Sequence, residues 1–541
     1  MSEPLPRALE GLLGPSAYAH PIDEVELVTT HISWVLLAGD YAYKIKRPVR
    51  YAFIDLTSLE RRRFLCEEEL RLNRRFAPEL YIEVCKVVAL EGVARMEGPV
   101  SSGAAVSAPH TEVILDYAVR MRRFPPAEEL DRLLDARRIE PHELERFGRE
   151  LAQLHARLPA APATSTWGKP EEIRAHLLRN LLECADAARV FGSSSKVLAL
   201  REALQERLAG ATSWMAARRS RGRIRECHGD LHSRNIVRAR GRLVPFDCLE
   251  YEPALRWIDT ADEVAFLISD MKARDRPLRA HAFRTGYLAE SGDYHACRGL
   301  ALYEAHRALV RAKVAALSAA QNGNAGPREA LLREHVRLVT FAGEALAPKT
   351  PRLLLMSGLS GAGKTWLARQ LAERLSAVHL RSDVERKRRA GLRELAPSRS
   401  RLGEDLYSSA GTAALYGALV RAADDVLSGE IPVIVDATFL ERAQRAPFAE
   451  LAVRRGASLR LILCGAPESV LRARIIERSR RGSDPSEAGL DVLAWQSAHA
   501  EPVLAEEGID VIAVDTAGSD ALDRALRGIG GAARAGMRDQ P

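Results

Sequence analysis

The sequence predicts a two-part chain: an α+β first half, with a small antiparallel-sheet lobe ahead of a helical lobe, and an α/β second half built on a parallel sheet. Three observations carry this. Short β-rich runs cluster between Val25 and Lys46; helical spacing runs from Leu59 to Arg75 and dominates from Pro141 to Leu346; and beyond Ala347-Pro348-Lys349-Thr350-Pro351 apolar strands alternate with helical segments. At 541 residues the chain is too long for one hydrophobic core. The expected division is 1–346, a linker at 347–351, and 352–541.

In chain order, the runs VELVT, SWVLL and YAYKIK are broken by Ala38-Gly39-Asp40, a hairpin turn signal. From Leu59 to Arg75 the spacing turns helical, with Leu65, Leu72 and Phe76 on one face. From Pro141 to Leu346 helices surround one strand-loop-strand passage near 223–250, and QNGNAGP at 321–327 is a loop. In the second half RLLLMS, AVHLRS, PVIVD, LRLILC and DVIAVD are apolar runs between helical segments, the pattern of a parallel sheet covered on both faces. The tail GIGGAARAGMRDQP is Gly-rich and polar and is expected to fray.

Composition narrows the function classes. Apolar residues make up 47% and charged residues 28%, which excludes a mainly disordered chain. With 79 Lys+Arg against 72 Asp+Glu the net charge is +7, which favours anionic ligands and permits nucleic acid without indicating it. The 7 cysteines are scattered, odd in number and never in a C-x-x-C pair, so they read as reduced thiols with no disulfide frame or zinc site. The N-terminus lacks the basic start and apolar stretch of a signal peptide, and no run approaches the roughly 20 apolar residues of a membrane span. A cytoplasmic protein with no membrane partner is the expectation.

Gly358-Leu359-Ser360-Gly361-Ala362-Gly363-Lys364-Thr365 fits G-x-x-x-x-G-K-[ST], directly between a strand and a helix. Its glycines let backbone N–H groups turn towards phosphate oxygens, Lys364 supplies a cation, and the Thr365 hydroxyl can ligate Mg²⁺. Asp383 and Asp436 end later strands, along the ligand crevice of such a sheet, where one could orient Mg²⁺ and another accept a proton from an attacking hydroxyl. The arginine-dense VLRARIIERSRRGSDPSEAG has the charge of a lid over phosphates. This half resembles the small P-loop kinases grouped with polynucleotide kinase, gluconate kinase and zeta-toxin kinases, through the Walker loop and the segment Ser382-Asp383-Val384-Glu385-Arg386. The resemblance implies that Asp383 is the substrate-hydroxyl base, Arg386 a substrate or phosphate contact, and Arg474 and Arg478 lid arginines on the transferring phosphoryl group.

In the first half, Cys227-His228-Gly229-Asp230-Leu231-His232-Ser233-Arg234-Asn235 is followed by Asp247 in VPFDCLE. Phosphoryl transfer needs a carboxylate for the acceptor proton and two further oxygen ligands for Mg²⁺, and this spacing supplies the set. The pattern resembles the aminoglycoside phosphotransferase and choline-kinase superfamily, and so a bilobal protein-kinase-like fold. By that resemblance Asp230 is the catalytic base, Asn235 and Asp247 hold the metal, and His228 braces the loop. Alternation in YAYKIK puts Lys44 and Lys46 on one face, and the register makes Lys44 the phosphate-binding lysine. Its expected helix carboxylate is Glu68, which shares a face with Leu65 and Leu72, with Glu69 close behind. The adenine-binding hinge is expected near YAVRMRRF at 117–124. Two departures from the superfamily stand out: Thr29-Thr30-His31 occupies the place of a glycine-rich loop, and the metal loop reads Asp247-Cys248-Leu249.

The order of the two halves is similar to bacterial fusions of an aminoglycoside-phosphotransferase-like domain with an ATP-binding domain. The implied function is a bifunctional phosphotransferase with two Mg-ATP sites, acting on hydroxyls of small metabolites. Two alternatives stand beside it: an ATP-sensing regulator with a P-loop ATPase switch, and a nucleic-acid 5′-kinase that uses Arg386-Lys387-Arg388-Arg389 as a backbone contact, although no aromatic stacking series accompanies that run.

Overall fold

The computed structural model describes residues 4–51, 54–90, 92–99, 113–322, 324–397, 408–481 and 485–531. The expected fraying of the tail beyond residue 531 lies outside them. By internal contacts the chain forms two compact units, one of residues 1–143, 157–168 and 218–267, the other of 144–156, 169–217 and 268–541.

The first unit is built on an antiparallel sheet. Its strands β1 (Val25–Thr29), β2 (Ser33–Ala38), β3 (Tyr41–Lys46), β6 (Tyr81–Leu90), β7 (Val93–Pro99) and β8 (Val113–Arg122) run in the order β1-β2-β3-β8-β6-β7. A ribbon of β4 (Arg50–Tyr51) and β5 (Ile54–Asp55) leads into α1 (Leu59–Asn73), whose Ser58 hydroxyl caps the first turn by accepting from Arg61 N–H at 3.2 Å. Alternation along β2 and β3 buries Trp34, Leu36, Tyr43 and Ile45 in one cluster with Leu9 and Leu12. Beyond α2 (Leu130–Asp135), the strand-loop-strand passage resolves into β9 (Ile224–Glu226), β10 (Ile236–Ala239), β11 (Arg242–Pro245) and β12 (Trp257–Asp259), paired as β9–β12 and β10–β11.

The second unit contains helices and a parallel sheet. Most of α3 (Pro141–Arg157) and α6 (Arg201–Ser220), the end of α7 (Thr260–Ala273), and all of α4 (Pro170–Ala188), α5 (Ser194–Leu198), α8 (Pro277–Ser291), α9 (Leu300–Gln321) and α10 (Ala325–Leu346) belong to it. The sheet strands are β13 (Arg352–Ser357), β14 (Val378–Arg381), β15 (Val433–Asp436), β16 (Ser458–Gly465) and β17 (Asp510–Asp515), all parallel, in the order β14-β15-β13-β16-β17. The first strand is central, and its residues 353–357 are all buried, as a strand covered on both faces requires. Around the sheet lie α11 (Lys364–Leu375), α12 (Ser382–Arg389), α13 (Ser409–Ser428), α14 (Arg442–Arg455), α15 (Glu468–Arg481), α16 (Leu490–His499) and α17 (Ala521–Gly531). Leu354, Met356, Leu367, Leu371 and Ile462 centre a core drawn wholly from residues 354–529.

Candidate active sites

The first site lies within the first unit. Period-two alternation turns Lys44 and Lys46 to the same buried face of β3. Lys44 Nζ donates to Glu69 Oε1 at 2.9 Å and also meets Asp247, while Lys46 bridges Glu69 and Glu250. The carboxylate on Lys44 is therefore Glu69, fully buried, and not Glu68. Glu68 instead holds Arg71 at 2.8 Å and lies 3.6 Å from Arg256. Leu65 and Leu72 are compatible with either glutamate, because both lie three or four residues from each. The burial of Arg62, Cys66 and Asn73 puts the centre of the inward face at Glu69.

The segment after β9 is anchored from below by Glu263, buried at the start of α7, whose two carboxylate oxygens accept the N–H groups of His228 at 2.6 Å and Gly229 at 2.9 Å. Gly229 has φ +87°, and a Cβ there would sit 2.7 Å from Leu255 O, so the turn admits only glycine. Burial pushes the His228 imidazole down to about 4. It is therefore neutral near pH 7, donating from Nε2 to Phe246 O at 2.8 Å and accepting the Asp230 N–H at Nδ1 at 3.3 Å. Asn235 Nδ2 donates to Asp230 Oδ2 at 2.9 Å and to its carbonyl at 3.0 Å, and His232 Nε2 lies 3.4 Å from Asp230 Oδ2.

Asp247 sits in the left-handed region at φ +62°, and its N–H donates to the Tyr81 hydroxyl at 3.0 Å. Partial desolvation works against its charge, but the Lys44 ammonium beside it holds the carboxyl below its usual range. Burial likewise opposes the Lys44 charge, and Asp247 and Glu69 overcome it, keeping the ammonium well above its ordinary value. Asn73, which sequence reasoning passed over, joins the parts: its Oδ1 accepts the Cys248 N–H at 2.9 Å and its Nδ2 donates to Glu69 O at 2.8 Å. Glu250 was also missed; only its position three residues after Asp247 signals it. The donor chemistry suits Mg²⁺, a hard cation that prefers oxygen. With Nδ2 committed to Asp230, Asn235 offers its carbonyl oxygen, and Asp247 offers a carboxylate whose side chain is 45% exposed. The Thr29-Thr30-His31 passage is the β1–β2 turn, closed by Thr30 Oγ1 with Ser33, and the expected hinge segment runs along β8.

The second site lies within the second unit, where the chain leaves β13 and enters α11. Gly358, Gly361 and Gly363 have φ of +133°, +82° and +76°, and a Cβ on Gly361 would lie 2.7 Å from Leu471 O. Lys364 Nζ donates to the carbonyls of Gly358 at 2.8 Å and Leu359 at 2.9 Å. Burial draws the Lys364 ammonium below its ordinary value, while Asp436 and Asp383 pull the other way. Asp436 ends β15 hydrogen-bonded to His379 Nε2 at 3.1 Å and to Thr365; burial opposes its charge, and these contacts hold the carboxyl below its usual range. Two hard oxygen donors, the Thr365 hydroxyl and the Asp436 carboxylate, are thus side by side, a set that fits Mg²⁺.

Asp383 and Arg386 lie on α12, half-buried, directly after β14. The two arginines expected in a lid differ. Arg474 is fastened to the phosphate loop, donating to Gly361 O at 3.2 Å, Thr516 Oγ1 at 2.9 Å and Thr516 O at 2.9 Å. Arg478 donates to Ala488 O at 2.7 Å, and its charge reaches Lys364. Two further residues grip the loop. Gln496 Oε1 accepts the Ser360 N–H at 2.8 Å, and Thr516 Oγ1 donates to Ala362 O at 2.9 Å. Neither carries a motif, and they lie more than 100 residues downstream of the loop they hold.

A model of the phosphotransferase enzyme family matches residues 59–300, and one of an AAA domain matches 353–503. An uncharacterized protein of Mycobacterium tuberculosis and another of Mycobacterium bovis are each 30% identical over 489 residues, 89% of this chain and 93% of the relative. The chain belongs to this family of phosphotransferase-plus-P-loop proteins. Among solved structures, a gluconokinase from Sinorhizobium meliloti 1021 matches at 21% identity over 35% of this chain and 97% of its own, with a TM-score of 0.26. A choline/ethanolamine kinase family protein from Mesorhizobium loti matches at 13% identity over 61% and 94%, with a TM-score of 0.35. As a member of the phosphotransferase-plus-P-loop family, the chain is a kinase-type enzyme. Kinase families of these two types use ATP, generally with Mg²⁺. Glu69, Asp230, Asn235 and Asp247 fall inside the first match, and the P-loop, Asp383, Asp436 and Gln496 inside the second; Lys44 and Thr516 lie outside both. Among the described residues no helix is long and apolar enough to cross a membrane.

Proposed function

We propose that the chain is a bifunctional ATP-dependent phosphotransferase, each site passing the γ-phosphoryl group of Mg-ATP to a hydroxyl of a small metabolite in the cytoplasm. One observation carries the reading at the first site: Asp230 is held by Asn235 and His232 within electrostatic reach of the Lys44–Asp247 pair. That arrangement suits a carboxylate taking the proton of an acceptor hydroxyl while Lys44 neutralises phosphate charge. Asn235 and Asp247 would hold the metal there, and Thr365 and Asp436 at the second site. Bound Mg²⁺ supplies neutralisation of the phosphate charge that develops during transfer.

At the second site the loop amides and Lys364 take phosphate oxygens, Asp383 takes the acceptor proton, and Arg386 and Arg478 face the substrate phosphates. Arg474 serves differently from a mobile lid residue, because its contacts to Gly361 and Thr516 set the loop. The 7 cysteines of the sequence are all buried as free thiols, which accords with a reducing compartment.

The test uses the full chain, γ-labelled ATP and a cytosolic metabolite extract, with products identified by mass spectrometry. Asp230→Ala should cut one labelled product by ~10²- to 10⁴-fold while Mg-ATP binding persists, since the base acts on the acceptor. Asp383→Asn should do the same for a second product that also vanishes in Lys364→Ala. ATP hydrolysis with no labelled metabolite from wild type would favour a nucleotide switch, and labelling of oligonucleotide 5′ ends would favour the nucleic-acid kinase.

A further inference from the structure

Helix α12 carries two pairs of residues three apart. Asp383 and Arg386 form one pair and Glu385 and Arg388 the other, offset by two positions, a rotation of roughly 200°. The pairs therefore face opposite ways. The Glu385–Arg388 face is occupied by helices from earlier in the chain. Glu385 Oε1 accepts the Tyr294 hydroxyl at 2.8 Å, between two buried side chains, and lies 3.2 Å from Arg388. Arg388 donates onward to Glu290 O at 3.0 Å and to Ala289 O, the carbonyls that end α8. The strand leading into α12 is held in the same manner. Glu394 accepts from Arg381 at 3.3 Å and from Arg149 of α3 at 3.0 Å. Arg149, Ala289, Glu290 and Tyr294 all fall in the segment matched by the phosphotransferase family, whereas α12 falls in the AAA-domain match.

We propose that Tyr294 is a positioning residue of the second site: by fixing Glu385 it sets the rotation of α12, and hence where Asp383 and Arg386 meet the acceptor hydroxyl. The inference rests on the reading of the second site as a phosphotransferase. It makes helices of the first half the backing of an acceptor helix in the second. An acceptor that moves α12 must work against Tyr294 and the α8 terminus, so the two halves are coupled at this point and not merely joined by a linker.

Tyr294→Phe tests this in the full chain, because it removes one hydroxyl and keeps the ring. Three quantities are read: hydrogen exchange of 382–389 against the control strand 352–357, the half-saturating extract concentration for the Lys364-dependent product, and the KM for ATP. Exchange at 382–389 should rise and the half-saturating extract concentration should increase about 3- to 10-fold, the net worth of one ordinary intramolecular hydrogen bond. KM for ATP and exchange at 352–357 should stay as in wild type. Glu385→Gln, which keeps an oxygen to accept the hydroxyl, should lie between the two. Unchanged exchange and transfer in Tyr294→Phe would overturn the proposal. So would a parallel loss in ATP and acceptor KM with general loosening, since that marks a structural role only. If wild type yields no Lys364-dependent product, the kinase reading of this site fails, while the exchange comparison still decides whether Tyr294 holds α12.

Discussion

Glu68 and Glu69 stand one position apart, yet one is a half-buried partner of the exposed Arg71 and the other is sealed between two lysines. Apolar spacing could not separate them, because Leu65 and Leu72 flank both at helical distance. Cys66 and Asn73, three residues before and four after Glu69, are the signal that would have. The energetic contrast follows from burial. Glu69→Gln removes the shared partner of Lys44 and Lys46 and should cost up to about 3–5 kcal/mol of stability, because each buried ammonium is left with a single carboxylate, Asp247 or Glu250. Glu68→Gln acts on pairs that include the 48%-exposed Arg71 and should cost about 0–1 kcal/mol. Urea titration of the two variants checks the ranking, and an equal loss would place the buried carboxylate elsewhere.

The strand-to-helix passage of the second half was fully legible, since five apolar runs and one glycine-rich string at the end of the first run specify a parallel sheet with a phosphate loop. What secures the loop was not. Gln496 from α16, Arg474 from α15 and Thr516 after β17 converge on it from segments that no short-range pattern links. Gly361→Ala should raise the loop's energy by on the order of 1–3 kcal/mol, given its φ of +82° and the Leu471 carbonyl 2.7 Å from the added Cβ, and so weaken Mg-ATP binding at this site. Thr516→Val keeps the side-chain shape but unties Arg474 and the Ala362 carbonyl; KM for ATP should rise about 3- to 10-fold with little change in the acceptor response. Steady-state kinetics on the Lys364-dependent product separates the two effects. A Thr516→Val enzyme with wild-type KM for ATP would mean that the loop holds its shape without this tie.

Across the whole molecule, buried histidines make stability depend on pH. Burial, aided by Arg307, pulls His176 down to about 4, and burial aided by Arg284 pulls His281 down to about 3. In the unfolded chain both take a proton near 6.5. Between those values the unfolded state binds more protons, so this contribution is complete above pH 6.5 and is lost as the pH falls towards 4 and then 3. The urea midpoint should therefore be lower at pH 5 than at pH 7.5, and His176→Gln with His281→Gln should reduce the difference, His228 keeping its own share; an unchanged slope in the double variant would assign the acid sensitivity to other groups. Sequence by itself determined the local grammar: strand periodicity, the glycine-rich loop, the HGDLHxxN string and the change of architecture at 347–351, all written in spacings of a few residues. Tertiary structure alone decided which glutamate faces Lys44, what braces the phosphate loop, and that Tyr294 grips α12 across 91 positions of chain, because side-chain direction and long-range packing depend on contacts that no local period encodes.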